Sequence, residues 1–145
     1  MKMCSVFLRD AFVYVHADSQ TVQGAWIASA PFLRVEWIGP DSAASLEKGI
    51  ATVLEASEQG IPHPSEWTAL APLYRLAGVD SWSEFTAGDC KLVRIEADAD
   101  AMRLQPQANR NPKGGFVDVG EPLVCMPPKA MPWKTLLEAA FSKCQ

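Results

Sequence analysis

Along the first forty or so positions the hydrophobic and polar residues alternate, and after that their period lengthens. From Ser5 to His16, the residues Val6, Leu8, Phe12, Tyr14 and His16 interleave with Phe7, Arg9, Val13 and Val15. A period near two is that of an extended strand, here with a bend expected at Arg9-Asp10. Asp18-Ser19-Gln20 reads as a polar turn. Ala25-Trp26-Ile27-Ala28 and Phe32 to Trp37 predict two further short strands, parted at Pro31, whose nitrogen cannot donate a ladder hydrogen bond. Three consecutive strands predict an antiparallel meander.

Beyond Gly39-Pro40, Leu46, Ile50, Val53 and Leu54 recur at helical spacing behind an N-cap at Asp41 or Ser42. This helix is expected to stop at Gly60, because Ile61-Pro62-His63-Pro64 forbids helical continuation. A shorter helix is predicted from Ser65 to Ala77, closed by Gly78, and then a single helical turn from Trp82 to Phe85 capped by Ser81. Cys90 to Glu96 and Ala101 to Pro106 read as strands joined by the acidic turn Ala97-Asp98-Ala99-Asp100, a hairpin, with a third strand at Gly115 to Val119. After Pro127-Pro128, the residues Trp133, Leu136, Leu137, Ala140 and Phe141 form the apolar face of a carboxy-terminal helix. The order β-β-β-α-α-(short α)-β-β-β-α predicts an α+β fold, an antiparallel β-sheet with segregated helices, rather than the alternating pattern of a parallel nucleotide-binding sheet.

Length and composition narrow this picture. The 145 residues suit one domain, 1–145, and a hydrophobic fraction of 48% with 21% charged residues is ordinary for a chain that buries a core. The longest uncharged apolar run, Gly24 to Leu33, is far shorter than the roughly 20 residues of a membrane span. The amino terminus reaches Arg9 after a few apolar residues, shorter than a secretory core of about 7 to 15, so a cytoplasmic location is expected. Cys4, Cys90, Cys125 and Cys144 form no CxxC pair and read as free thiols in a reducing compartment. A net charge of −4 opposes direct nucleic-acid binding and suits a basic protein partner.

The search for chemistry returns little. Neither GxGxxG nor GxxxxGK[ST] occurs, and Gly114-Gly115 reads as a turn before a strand. The chain contains no close set of Cys and His residues with metal-ligand spacing and no GxSxG elbow, so no cofactor or metal is expected. An enzyme would have to draw on His16 or His63 with distant acids or thiols. Binding is the stronger reading. Trp26, Trp37 and Trp133 fit the core, whereas Trp67 and Trp82 lie in short helical elements beside Glu66 in one case and Asp80 and Glu84 in the other. An aromatic anchor with an acidic rim suits a basic partner, which makes Glu66, Trp67, Asp80, Trp82 and Glu84 candidate contacts. Glu96, Asp98 and Asp100 form an alternative acidic tip, and an adaptor that docks by a strand edge or by the Trp67 and Trp82 region is a third reading.

Several segments taken together resemble the immunity proteins of bacterial contact-dependent growth inhibition systems. They are Gly24-Ala25-Trp26-Ile27-Ala28-Ser29, Gly60-Ile61-Pro62-His63-Pro64, Ala77 to Phe85, Pro106 to Asn109 and Gly115-Phe116, in a consistent order over about the first four fifths of the chain. The resemblance implies a cytosolic, stoichiometric inhibitor that binds the toxic carboxy-terminal domain of a cognate effector, often a nuclease, and blocks its active site or its access to substrate. The acidic charge agrees with it, since a nuclease that attracts polyanions tends to be basic. Such surfaces vary with the toxin, so the resemblance carries a scaffold and no contact residues.

Overall fold

A computed structural model describes residues 1–64, 70–125 and 132–144. The described residues form an α+β fold in which one eight-stranded sheet, antiparallel but for a single pairing, is flanked by four helices. The strands are β1 (Lys2–Arg9), β2 (Phe12–Thr21), β3 (Trp26–Glu36), β4 (Gln59–Ile61), β5 (Lys91–Ala97), β6 (Met102–Asn109), β7 (Phe116–Asp118) and β8 (Leu123–Cys125). The helices are α1 (Ser42–Ala56), α2 (Ala71–Leu76), α3 (Trp82–Thr86) and α4 (Trp133–Phe141). The main path across the sheet is β3-β2-β1-β5-β6-β7, with β4 beside β2 and β8 beside β6.

The meander is present, with different boundaries from those expected. The bend at Arg9-Asp10 is a hairpin turn: Arg9 pairs with Phe12, and Asp10 takes φ +56°, the left-handed conformation that lets a two-residue loop follow the twist of its strands. Asp18-Ser19-Gln20 is not a turn but the last part of β2, because Asp18 and Ser19 find side-chain partners on neighbouring strands. Asp18 accepts from Ser5, Ser19 bonds Ser29 and the Glu58 N–H, and the chain reverses only after Thr21. The two strands expected around Pro31 are the single strand β3. Ala17 pairs with Ser29 and His16 with Phe32, so Ala30 and Pro31 bulge out of register and the proline breaks no ladder bond. Pro106, expected at a strand end, lies inside β6. Its carbonyl accepts from Val119, so its nitrogen faces that same outer side, between the residues that β8 and β7 pair with.

Helix α1 ends at Ala56, four residues before Gly60, because Ser57 turns into extended backbone and becomes a buried junction. Its hydroxyl donates to the Asp18 carbonyl and accepts from the Met3 N–H at 3.0 Å. The chain then runs beside the end of β2 as β4, parallel to it, where β1 has already ended. Asp41 is the N-cap by backbone only, while Ser42 bonds the Gly39 carbonyl and Lys134. The described part of the second predicted helix is α2; its expected start, 65–69, lies outside the described residues. Gly78 closes it at φ +76°, with the Val79 N–H on the Tyr74 carbonyl and the Gly78 N–H on Arg75. Ser81 caps α3 by accepting from the Glu84 N–H at 3.2 Å, as expected.

Two apolar clusters sit on opposite faces of the sheet. Cys4, Val6, Val13, Val15, Val93, Ile95 and Leu104 meet Leu46, Ile50 and Val53 of α1 and Trp133, Leu137 and Phe141 of α4. Gly49 faces the sheet from α1, where a Cβ would meet Val35 at 3.4 Å, an ordinary contact. On the other face Phe7, Tyr14 and Leu92 pack beneath Leu73 of α2 and Phe85 of α3. Trp133 is buried as expected, and Trp37 packs edge-on to Phe141 at 5.5 Å. Trp26, expected in the core, is only half-buried and serves another surface. All four cysteines are free; burial raises the Cys4 thiol well above its ordinary pKa and pushes Cys90 up to about 12.

Candidate functional site

On the α2/α3 side the sheet changes character along its length. Reading along each strand away from the helices, Phe7 gives way to Ser5 on β1, Tyr14 to His16 and Asp18 on β2, and Leu92 to Arg94 and Glu96 on β5. Alternation keeps all of these on one face, and the register sets Ser5 between His16 and Arg94. A cavity of about 410 Å³ opens over this boundary. Ser5, Phe7, His16, Asp18, Leu92 and Arg94 line it from the sheet. Its other walls are Trp26 to Ala28 of β3, Leu70, Trp82 of α3, and Asn111, Gly115 and Phe116. The volume falls within the roughly 300–1,000 Å³ of ligand sites, and an apolar cavity with a few convergent polar groups is where binding is first sought.

The polar groups are tightly arranged. The Ser5 hydroxyl donates to Asp18 Oδ2 at 2.6 Å. His16 Nδ1 lies 2.8 Å from the Ala17 carbonyl, which can only accept, so Nδ1 carries the proton. The same nitrogen stands 3.6 Å from Asp18 Oδ1, a distance that makes an ion pair only if the ring is charged. Burial dominates and lowers the His16 pKa below its ordinary 6.5; Asp18 and the Ala17 carbonyl pull it up, and Arg94 pushes it further down. The imidazole is therefore neutral at pH 7. Ser5 is committed to a carboxylate rather than to an imidazole, so the three residues lack the nucleophile–base contact of a hydrolytic triad.

A stability effect follows from this burial. With the folded pKa depressed, the unfolded chain takes up a proton as pH falls through about 6.5 while the folded protein does not, so stability drops by at most ~1.4 kcal/mol per pH unit until the folded pKa is reached. Urea unfolding of wild type and of His16→Gln between pH 7.5 and 5 checks this: the variant is expected to lose the part of the slope that His16 supplies.

The structure separates the residues singled out from sequence. Trp82 lines the cavity; Asp80 and Glu84 are exposed two residues to either side of it in sequence and are not among the cavity residues. Glu66 and Trp67 lie outside the described residues. Glu96, Asp98 and Asp100 lie toward the opposite end of β5, where Ala97 pairs with Lys2, some five residues or roughly 17 Å from Leu92. Asp98 is committed locally: its carboxylate accepts from the Asp100 and Ala101 N–H groups and from Arg103, which holds it below the usual carboxylate range. His63 sits in the exposed loop after β4 and is not among the cavity residues, whereas His16 is. Sequence reasoning missed Ser5, Asp18 and Arg94. The available signal was the change from large apolar or aromatic to polar at every second position of β1, β2 and β5, which becomes informative only once register is known. Among the described residues no His, Cys, Asp and Glu cluster is arranged to hold a metal, and no helix is long and apolar enough to cross a membrane.

No protein-family model matches the sequence, and no curated relative does. Solved structures resemble the fold from end to end. A protein of unknown function from Neisseria meningitidis, NMB0488, superimposes with a TM-score of 0.76 at 10% identity, over 99% of this chain and 95% of that one. A chain of the CdiA-CT/CdiI toxin and immunity complex from Yersinia pseudotuberculosis does so with a TM-score of 0.76 at 14% identity, over 99% of this chain and 97% of that one. At such identities the likeness is one of fold, and the fold of this chain is that of a chain in a toxin and immunity complex.

Proposed function

We propose that this chain is an immunity protein that binds and neutralises the toxic carboxy-terminal domain of a cognate contact-dependent growth inhibition effector. The observation that carries the reading is the end-to-end fold correspondence with a chain of the Yersinia toxin and immunity complex. The contact face we assign is the α2/α3 side of the sheet, with the cavity at its centre, Trp82 in its wall and the exposed Asp80 and Glu84 nearby in sequence as an acidic rim. An apolar centre with a charged rim is the usual anatomy of a specific interface. The acidic rim and the net charge of −4 suit a basic toxin, and complementary charge speeds association. Turnover has no part in this reading, since the Ser5 hydroxyl is engaged with Asp18.

The test is coexpression with the toxin domain encoded directly upstream. A one-to-one complex that survives gel filtration is expected, and protection of cells without any physical association would sink the proposal. Charge reversal of Asp80 and Glu84 is expected to slow association by about tenfold or more at low salt and by less at high salt. The same change at Glu96, Asp98 and Asp100 is expected to have the smaller effect, because that tip stands apart from the cavity.

A further inference from the structure

The cavity wall holds one basic side chain, and the fold gives it no direct partner among the described residues. Arg94 stands on β5, solvent-exposed, near the middle of the sheet between Ser5 of β1 and Gln105 of β6. Arg9 reaches the Phe85 carbonyl and Asp10, Arg103 pairs with Asp98, and Arg34 lies over the Phe12 ring, while the exposed Arg75 and Arg110, likewise without a side-chain partner among the described residues, do not line the cavity. Among the described residues the Arg94 guanidinium has neither an ion pair nor a hydrogen-bond acceptor. The same is true of the Trp26 and Trp82 indole N–H groups in the same wall. Three carboxylates stand near it: Asp18 is engaged by Ser5 and stands beside His16, Asp118 accepts from Gln107, and Glu96 lies two residues along β5 on a neighbouring hollow, none of them within ion-pair distance of the guanidinium. The wall thus presents a surplus of donors, and a guanidinium with five N–H groups in a planar fork is best matched by a carboxylate held through two of them.

The apolar part of the wall has a definite shape. Phe7 meets Trp82 edge-on at 5.8 Å and Phe116 at 5.7 Å, and Trp82 meets Phe116 at 6.2 Å, so three rings stand at steep angles around one corner. Flat faces and ring edges arranged this way accept a planar ring in offset or edge-to-face contact. We infer that the cavity binds a small planar organic acid, its ring held among Phe7, Trp82 and Phe116 and its carboxylate on the Arg94 guanidinium, with an indole N–H of Trp26 or Trp82 as a further donor. Asp18 opposes an anion, and a cation would choose Asp18 instead, so the sign of the preferred ligand reports which group is the anchor. This site goes beyond the immunity reading and does not depend on it.

One ring carried on three charges decides the matter. The uniformly ¹⁵N-labelled protein is titrated with indole-3-acetate, with tryptophol and with tryptamine, following the Trp26 and Trp82 indole N–H resonances. Saturable shifts are expected with indole-3-acetate, at least about tenfold tighter than with tryptophol, and tryptamine is expected to be weakest. Arg94→Gln is expected to bring the acid down to the affinity of tryptophol, and Arg94→Lys to restore part of the difference. Should Arg94→Gln fail to fold, the three wild-type affinities decide alone. The inference is overturned by equal affinity for all three, by a preference for tryptamine, by an acid preference that survives Arg94→Gln, or by no saturable shift with the acid up to about 10 mM.

Discussion

Replacing Phe85 with alanine is expected to lower the free energy of unfolding by about 3–5 kcal/mol, the largest stability loss of any single truncation on the α2/α3 side. Phe85 is fully buried, and its ring meets Phe7 at 5.4 Å, Tyr14 at 5.4 Å and Trp82 at 5.6 Å. It also carries the Arg9 guanidinium 5.9 Å from its centroid, and its carbonyl accepts from Arg9 Nε. Helix α3 has five residues, too few to persist by backbone hydrogen bonding alone, so its place depends on this one side chain entering the cluster over β1 and β2. Removing the ring leaves a cavity bordered by Phe7 and Arg9 of β1, Tyr14 of β2 and Trp82 of α3. Set against a typical stability of about 5–15 kcal/mol, the loss is large enough to read directly from the midpoint of urea unfolding at unchanged slope. A loss under about 1 kcal/mol would show that α3 does not pack as described.

The second large effect concerns the proposed partner. Trp82→Ala is expected to weaken toxin binding by about 2 kcal/mol or more, some thirtyfold, mainly through faster dissociation. Trp82 is half-buried, stacked on Phe85 with an interplanar angle of 21° and edge-on to Phe7 at 89°. A ring fixed in this way loses little freedom when a partner covers it, which is why tryptophan dominates many interfaces. The same contacts mean that the variant is destabilised too, so affinity is to be measured where circular dichroism shows it folded, with Trp82→Phe beside it. Calorimetry that finds Trp82→Ala within twofold of wild type would remove Trp82 from the interface and move the search to the acidic tip.

Several elements could be read from the chain because the physics behind them is local. Ser81 caps α3, Gly78 closes α2 and the β5–β6 hairpin turns on Asp98, each through bonds between residues at most five apart. The apolar repeat of Leu46, Ile50, Val53 and Leu54 gave α1, and that of Trp133, Leu137 and Phe141 gave α4. Errors fell where a distant residue supplied the missing partner. Asp18 and Ser19 look like turn residues until Ser5 and Ser29 arrive beside them. Ser57 ends α1 early because Met3 and Asp18, far away in sequence, claim its hydroxyl. The three-residue strands β4, β7 and β8 are too short to carry a period, and of them only β7 had been expected.

The sequence by itself determined the α+β class, the meander, the longer helices, the free thiols and the acidic charge, since periodicity, capping and composition are properties of neighbouring residues. Tertiary structure alone decided the candidate site. Ser5, His16 and Arg94 form one row only because β2, β1 and β5 pair in a particular register, and a slip of one residue would send each side chain to the opposite face. Trp82 comes to that row from a helix whose position depends on Phe85, through a contact no local pattern encodes.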